Sequence, residues 1–160
     1  MAGVLTTDLE GAALEAWRSF LQSHALIVRA LDAELVAEHG LTTRDYEVLL
    51  YLAQAPERKL AMSALAERTM LTRSGITRLV DGLVSAGLIE RTACPQDARI
   101  SYASLTEAGY KKLRDAGRTH IAGIRRQFLS SYSPDEIQQL AALLARLPGA
   151  SASEAQCSVD

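Results

Sequence analysis

The stretch from residue 63 to residue 105 constrains the fold most, because two short helical patterns and two strand patterns follow one another there with little room between them. Ser63 belongs to a residue type that caps helices, and it opens the segment SALAERTM. A turn through Leu71 and Thr72 leads into a second helical segment, RSGITRLVDGL, and Gly87 follows as a helix stop. LIER and RISYASL then have strand patterns on either side of the polar run TACPQDA. The segment therefore predicts two helices joined by a tight turn and then a β-hairpin.

The second helical segment has two distinct faces. At 100° per residue, Ile76, Leu79 and Leu83 fall within about 60° of arc, and polar residues occupy the opposite side. Two helices followed by a hairpin are the order of a winged helix-turn-helix, whose second helix enters the DNA major groove while the hairpin contacts the backbone or the minor groove. The polar face is therefore predicted to bind DNA.

The charge distribution agrees with this prediction locally. The whole chain has a formal net charge of -2, which gives no sign of a nucleic-acid-binding protein. Between Arg58 and Arg99, however, seven basic residues outnumber four acidic ones, whereas the rest of the chain carries ten basic and fifteen acidic residues. The middle of the chain is basic between two acidic flanks.

The candidate DNA contacts come from the polar face of the second helix and from the hairpin loop. They are Thr72, Arg73, Ser74, Thr77, Arg78, Asp97 and Arg99. Thr72 is expected to cap the helix and to contact a phosphate, since a helix N-terminus attracts anions. Arg78 can form two hydrogen bonds with guanine, and Asp81 is within reach to hold its guanidinium in place. Asp97 is expected to brace Arg99 as a probe for A·T-rich minor grooves.

Helical patterns precede this segment. Apolar residues recur in steps of three or four from residue 8 until Gly40, which predicts one long first helix. Thr42 or Thr43 can cap a second helix, which Pro56 ends.

Two more helical patterns follow the hairpin. Thr106 can cap a long helix that runs to about Ser130. Ser133-Pro-Asp-Glu136 is a capping box with Pro at the first helical position, and it predicts a last helix to Leu147.

The predicted fold is mainly α with a small β-hairpin wing, a winged helix-turn-helix flanked by long helices. A chain of 160 residues is long enough for one domain with a substantial core, so we expect a single domain over residues 8–148. Within it we expect a DNA-binding lobe at about 58–105 and dimerisation helices at about 8–40 and 107–147. The small and polar residues 149–160 are expected to form a disordered tail.

The run from Met62 to Gly109 resembles the core of the multiple antibiotic resistance regulator (MarR) family. The most specific pieces are SGITRLVDGL, the GLIER that follows, and the Asp-x-Arg of the wing before the LT of ASLT. The likeness extends more loosely to the whole chain, because the family places one long helix before the winged domain and two after it that form its dimer. The resemblance implies a homodimeric transcription factor on pseudo-palindromic double-stranded DNA, usually a repressor that a small phenolic or anionic effector releases.

Two positions depart from the family pattern. Gly82 stands where relatives often carry a basic residue, which lowers helix propensity by about 1 kcal/mol relative to Ala and removes a phosphate contact. Ala98 lies between Asp97 and Arg99, where many relatives have Arg or Lys. Both changes predict weaker non-specific DNA affinity than in a typical member, and the same function.

By the same resemblance, an effector site would lie between the first two helices and the long fifth one. Trp17 and His24 share one face of the first helix, and Tyr46 stands near the start of the second. Such side chains can stack on and hydrogen-bond an aromatic acid. The alternative interpretation is that all three are structural core residues.

Cysteines and histidines give little sign of other chemistry. Cys94 and Cys157 are too few and too far apart for a disulfide framework, although oxidation of Cys94 in the wing is an alternative means of control. His24, His39 and His120 are too scattered for a local zinc motif. We expect no metal and no cofactor.

Enzyme motifs are also missing from the sequence. It has no nucleophile in a recognisable motif and no Gly-rich phosphate loop, so we expect no catalytic residues. A stronger alternative is a winged-helix module that contacts protein and does not bind DNA; salt-dependent binding to duplex DNA separates the two. The N-terminus lacks the basic start and apolar core of a signal peptide, and no apolar run approaches a membrane span, so we expect a cytoplasmic protein.

Overall fold

Ala and Leu are abundant and only four prolines interrupt the chain, so most of it is helical. The computed structural model describes residues 10–94, 97 and 99–148. In chain order the elements are α1 (Gly11–His39), α2 (Thr43–Gln54), β1 (Lys59–Ala61), α3 (Met62–Thr69), α4 (Arg73–Ser85), β2 (Ile89–Ala93), β3 (Ser101–Leu105), α5 (Glu107–Gln127) and α6 (Pro134–Leu144). This order confirms the predicted helices and hairpin. The predicted start of α1 at residue 8 and the predicted tail over 149–160 lie outside the described residues.

Local signals in the sequence set most helix ends. Gly40 adopts a left-handed φ of 63° and closes α1, a conformation that costs a glycine little. Thr42, and not its neighbour, caps α2 and forms a capping box with Asp45. Ser133 and Glu136 form the predicted capping box at the start of α6.

Three predicted helix boundaries are wrong. Ser63 is not the N-cap of α3, because β1 runs directly into the helix and Ala61 occupies the cap position without a side-chain hydrogen bond. α5 ends at Gln127, and a single 3-10 turn over residues 129–131 takes the place of its expected last residues. α6 ends at Leu144, earlier than expected.

The hairpin is part of a three-stranded antiparallel sheet in the order β1-β3-β2. Ala103 in the centre of β3 pairs with Leu60 on one side and with Arg91 on the other. Along β3, Ala103 and Leu105 are buried and Ser104 between them is only partly buried, so one face of the strand packs on the core. β1, the short strand before α3, is an edge strand that ties the wing to the start of the helix-turn-helix.

The core lies where α2, α3, α4, the sheet, the C-terminal end of α1 and the start of α5 meet, and we call this part of the chain the winged lobe. Its most deeply buried side chains are Leu35, Val48, Leu49, Leu52, Leu65, Ile76, Val80, Ile89 and Leu113. At the start of α5, the hydroxyl of Thr106 donates to the Gly87 carbonyl at 2.9 Å and accepts the Gly109 N–H at 2.9 Å. A Cβ at Gly109 would collide with the Leu88 carbonyl oxygen, so the absence of a side chain there lets α5 pack against the sheet.

The N-terminal part of α1 and the whole of α6 cover no comparable core. We call residues 11–28 of α1 together with α6 the helical arm. α1 buries Leu31 and Leu35, near its C-terminal end, whereas Trp17 in the arm is 52% exposed. α6 buries none of its residues, and its Leu143 is 54% exposed. The apolar stripe predicted along α1 is therefore buried in this chain only where α1 approaches α5.

Candidate DNA interface

The N-terminus of α4 is capped and open to solvent. Thr72 Oγ1 accepts the Gly75 N–H at 3.1 Å and lies 3.2 Å from Ser74 Oγ. The predicted capping role of Thr72 is therefore confirmed. The first N–H groups of α4 have no intrahelical acceptor, so this end of the helix can receive an anion.

The polar face of α4 is a broad, nearly flat surface that is open to solvent. Its lining residues are Thr72, Arg73, Ser74, Thr77, Arg78 and Asp81. The opposite face packs into the core through Ile76, Val80 and Leu83. The structure therefore brings all five candidate DNA contacts of α4 to one accessible surface.

Two arginines of this surface, Arg73 and Arg78, form no ion pair within the part of the chain that the structure describes. Thr77 donates its hydroxyl proton to the Arg73 carbonyl at 2.8 Å, which leaves its methyl group and its oxygen lone pairs for other contacts. The surface thus offers cationic donors beside a small side chain, which suits base edges and phosphates.

Asp81 does not hold Arg78, contrary to the sequence prediction. Its Oδ1 accepts a hydrogen bond from Arg91 Nη1 on β2 at 2.6 Å. The hairpin folds back against α4, and this brings Arg91 to the carboxylate across ten positions of sequence. Spacing along the helix alone could not reveal this partner.

Asp97 does not brace the guanidinium of Arg99, which is a second correction. Asp97 Oδ1 accepts the backbone N–H of Arg99 at 2.9 Å, and the Asp97 carbonyl accepts the Ile100 N–H at 3.0 Å. Asp residues commonly stabilise turns in this way, since the short carboxylate reaches the backbone two residues on. Asp97 therefore shapes the turn of the wing, and among the described residues the exposed Arg99 is held through its backbone N–H.

A second cleft of about 310 Å³ separates α4 from the wing. Its lining includes three arginines from different elements, Arg73, Arg91 and Arg99. The helix and wing candidates therefore face one common region. Of the two departures from the family pattern, Gly82 is exposed with open space where a Cβ would stand, and Ala98 lies outside the described residues.

The three effector candidates do not share one site. His24 lines an apolar groove of about 500 Å³ between α1 and α6, together with Phe20. Trp17 stacks near Phe20, with ring centroids 6.3 Å apart, but does not line the groove. Tyr46 is buried in α2 and packs against His120 of α5, with ring centroids 4.7 Å apart.

The sequence did not lead us to predict the partly buried surroundings of His120. Burial lowers the pKa of its imidazole, and the nearby carboxylates of Glu47 and Glu34 partly oppose this shift. Its Nδ1 is buried without a hydrogen-bond partner among the described residues. The available signal was its position on the stripe of α5 that contains the buried residues Leu113 and Ala116.

The remaining alternatives concern Cys94, metal ions and the membrane. Cys94 is half-buried, and its backbone N–H donates to the Ile100 carbonyl at 2.8 Å across the wing. No group of His, Cys, Asp and Glu side chains among the described residues could hold a metal ion. None of the described helices combines the length and the hydropathy that a membrane span requires.

The fold and this surface define a winged helix-turn-helix protein. A family model described as MarR family matches residues 39–100. The HTH-type transcriptional regulator MhqR of Bacillus subtilis (strain 168) is 30% identical over 112 residues, which cover 70% of this chain and 75% of MhqR. The chain belongs to the MarR family of transcriptional regulators, as its sequence resemblance predicted.

Solved structures agree over most of the chain. AbsC, a MarR family transcriptional regulator from Streptomyces coelicolor, has 32% identity and a TM-score of 0.79 over 87% of this chain and 93% of AbsC. Sco3205, a MarR family transcriptional regulator from the same organism, was crystallised in complex with DNA; it has 29% identity and a TM-score of 0.80, with 89% of each chain covered. These similarities confirm the predicted fold class.

Proposed function

We propose that this regulator is a cytoplasmic homodimeric repressor that binds a pseudo-palindromic operator and releases it in response to a small phenolic or anionic effector. One observation carries the DNA-binding part. The five polar candidates of α4 line one open surface, while the other face of the helix is buried, and two of them are arginines that form no ion pair among the described residues. The DNA complex of the similar Sco3205 supports this interpretation over a winged-helix module for protein contacts.

The recognition helix α4 would enter the major groove with its N-terminus towards the phosphates. Thr72 and Ser74, beside the free N–H groups of the first turn, suit a backbone phosphate. Arg78, one turn further along the helix, suits the O6 and N7 acceptors of guanine. Thr77 has a methyl group free for a thymine methyl, because its hydroxyl proton is already donated within the helix.

The wing would reach beside the major-groove contact. Arg99 is exposed at the turn that Asp97 shapes, and no ion pair in the described ranges neutralises it. A cation in this position is attracted to narrow A·T-rich minor grooves, where the negative potential is deepest. Asp97 would contribute indirectly, because it holds the backbone that carries Arg99.

The homodimer is proposed from the helical arm. Trp17 and Leu143 are both about half exposed, and the arm also exposes Leu21 and Leu26, which do not line the groove between α1 and α6. Exposed apolar side chains of this kind usually mark an interface, and a second copy related by a two-fold axis would cover them. Two recognition helices related by that axis would require an inverted repeat with half-site centres roughly 10 bp apart.

Repression and effector control are the finer parts of the proposal. The HTH-type transcriptional repressor MdtR of Bacillus subtilis (strain 168) is 32% identical over 116 residues, which cover 71% of this chain and 72% of MdtR, and this supports repression. The groove that His24 and Phe20 line has room and apolar character for a small aromatic ligand. Because most of the residues that line the groove belong to the arm, a ligand there would change the spacing of the two recognition helices in the proposed dimer. Trp17 and Tyr46 retain their structural interpretation.

Selection of binding sites from random DNA duplexes tests this function. We expect an inverted repeat, bound with an affinity that falls steeply as salt concentration rises. A single unrepeated site would contradict the homodimer. Absence of salt-dependent duplex binding would favour the protein-contact module.

A further inference from the structure

One arginine in the DNA-facing region differs from the others in its electrostatic state. Arg91 donates to Asp81 Oδ1 at 2.6 Å, and its Nη2 lies 3.4 Å from Ser101 Oγ. Arg73 and Arg99 line the same cleft, and neither forms an ion pair among the described residues. A carboxylate at this distance cancels most of the attraction between Arg91 and a phosphate. Arg91 is therefore poorly suited to bind DNA directly.

The partners of Arg91 come from three different elements. Asp81 belongs to the recognition helix α4, Arg91 to β2 and Ser101 to β3. At the base of the wing, the hairpin is already anchored by the buried Ile89 and Leu105. The Arg91 guanidinium adds a connection further along the hairpin, towards the turn that carries Arg99.

We propose that Asp81 and Arg91 form a clamp that fixes the distance between the recognition helix and the wing tip, so that both engage DNA together. This inference depends on the proposed DNA contacts of α4 and Arg99. Two linked contacts reinforce each other only when the geometry allows both to form at once. Arg91 is then a positioning residue, and the clamp adds sequence discrimination without a base contact of its own.

Asp81→Asn, compared with Glu107→Gln, tests the clamp. Glu107 forms a similar exposed ion pair with Arg58 at 2.7 Å in the winged lobe, away from the cleft, so both variants remove one negative charge and one ion pair. Asp81→Asn should reduce the ratio of specific to non-specific DNA affinity by about two- to fivefold, the range expected of a partly exposed ion pair. Glu107→Gln should leave the ratio unchanged. Equal ratios in Asp81→Asn and the wild type would overturn the clamp.

A double-mutant cycle with Arg99→Ala distinguishes positioning from general stability. In the wild type, Arg99→Ala should weaken binding to a duplex with A·T-rich flanks and reduce the salt slope by roughly one unit. In the Asp81→Asn background the same change should have a clearly smaller effect, because the wing tip is no longer held in place. Thermal melting confirms that each variant folds.

The outcomes separate the clamp from the proposed function. Equal losses from Arg99→Ala in both backgrounds would overturn the clamp alone. No loss in either background would overturn the proposed wing contact and the clamp with it. Arg91→Gln provides a further check, because a salt slope reduced by roughly one unit in this single variant would show that Arg91 binds a phosphate directly, against the proposal.

Discussion

The winged lobe and the helical arm are built from similar helices but cover their apolar surfaces differently. In the lobe, Leu65 and Ile76 are at most 1% exposed and pack inside one chain. In the arm, Trp17 and Leu143 are about half exposed. Helix-forming signals are equally good in both regions, since Thr72 caps α4 and Ser133 caps α6. The difference indicates that the lobe completes its core alone, whereas the arm needs a further surface.

This contrast assigns the proposed DNA contacts to the winged lobe and the proposed association of two chains to the helical arm. The lobe holds the polar face of α4 in a fixed position, because the opposite face of this helix is buried in the core. In the proposed homodimer, the arm would determine how two such lobes are placed relative to each other. Changes in the lobe should therefore act within one chain, and changes in the arm should act through association.

Removal of a core side chain from the lobe should have the largest effect. Leu65→Ala leaves a cavity in a fully buried position and should lower the free energy of unfolding by about 2–5 kcal/mol. Urea titrations should give the same loss at any protein concentration. Leu143→Ala is the matched change in the arm. The loss in free energy of unfolding that it causes should grow with protein concentration, because Leu143 stabilises the chain through the proposed dimer. Equal, concentration-independent losses would remove the distinction between the regions.

A charge placed in the arm should break the dimer. The wild type should sediment as two chains at micromolar concentration, and Leu143→Glu should raise the dimer Kd at least tenfold, or more than about 1.4 kcal/mol, because a carboxylate would be buried in the interface. Met70→Glu is the control, since Met70 is an 89% exposed apolar residue of the lobe. A wild type that sediments as one folded chain would contradict the role assigned to the arm.

Removal of a proposed DNA contact from the lobe should change specificity and leave association intact. Arg78→Ala should weaken binding to the best duplex by about 1–3 kcal/mol and relax the preference at one base pair, because it removes a two-bond guanine contact. Arg18→Ala removes the same charge from an exposed position of the arm and should not alter sequence preference. Fluorescence titrations with a panel of single-base-substituted duplexes measure both. Similar losses of DNA affinity and base-pair preference in the two variants would show that the positive charge, and not a guanine contact, determines binding.

The smallest effect is expected at His120, where α5 packs beside α2. Burial lowers the pKa of this histidine below its ordinary value of 6.5, so the unfolded chain takes up a proton first as the pH falls. The contribution of neutral His120 to stability is complete above pH 6.5 and declines as the pH falls from there towards the lower folded-state pKa. Urea midpoints from pH 8 to pH 5 should therefore fall less in His120→Gln than in the wild type. Urea midpoints that fall equally with pH in both proteins would contradict the lowered pKa of His120.

The sequence predicted the features whose causes are local. Gly40 ends α1, Thr72 caps α4, and Ser133 with Glu136 caps α6, because each of these devices joins groups no more than five residues apart. The amphipathic pattern of α4 likewise identified its polar face, and the order of the patterns indicated the winged fold. DNA binding followed from these features and from the local basic charge.

Only the tertiary structure decided which groups meet across the chain. Asp81 pairs with Arg91 because the hairpin folds over α4, and no helical spacing contains that contact. Ser63 is not the N-cap of α3, because β1 pairs with β3 and runs directly into the helix. Amphipathicity also showed that the face of α1 with Trp17 is apolar, but not what covers it. A pattern along one element records the polarity of its own faces, whereas burial and long-range ion pairs depend on where the other elements lie.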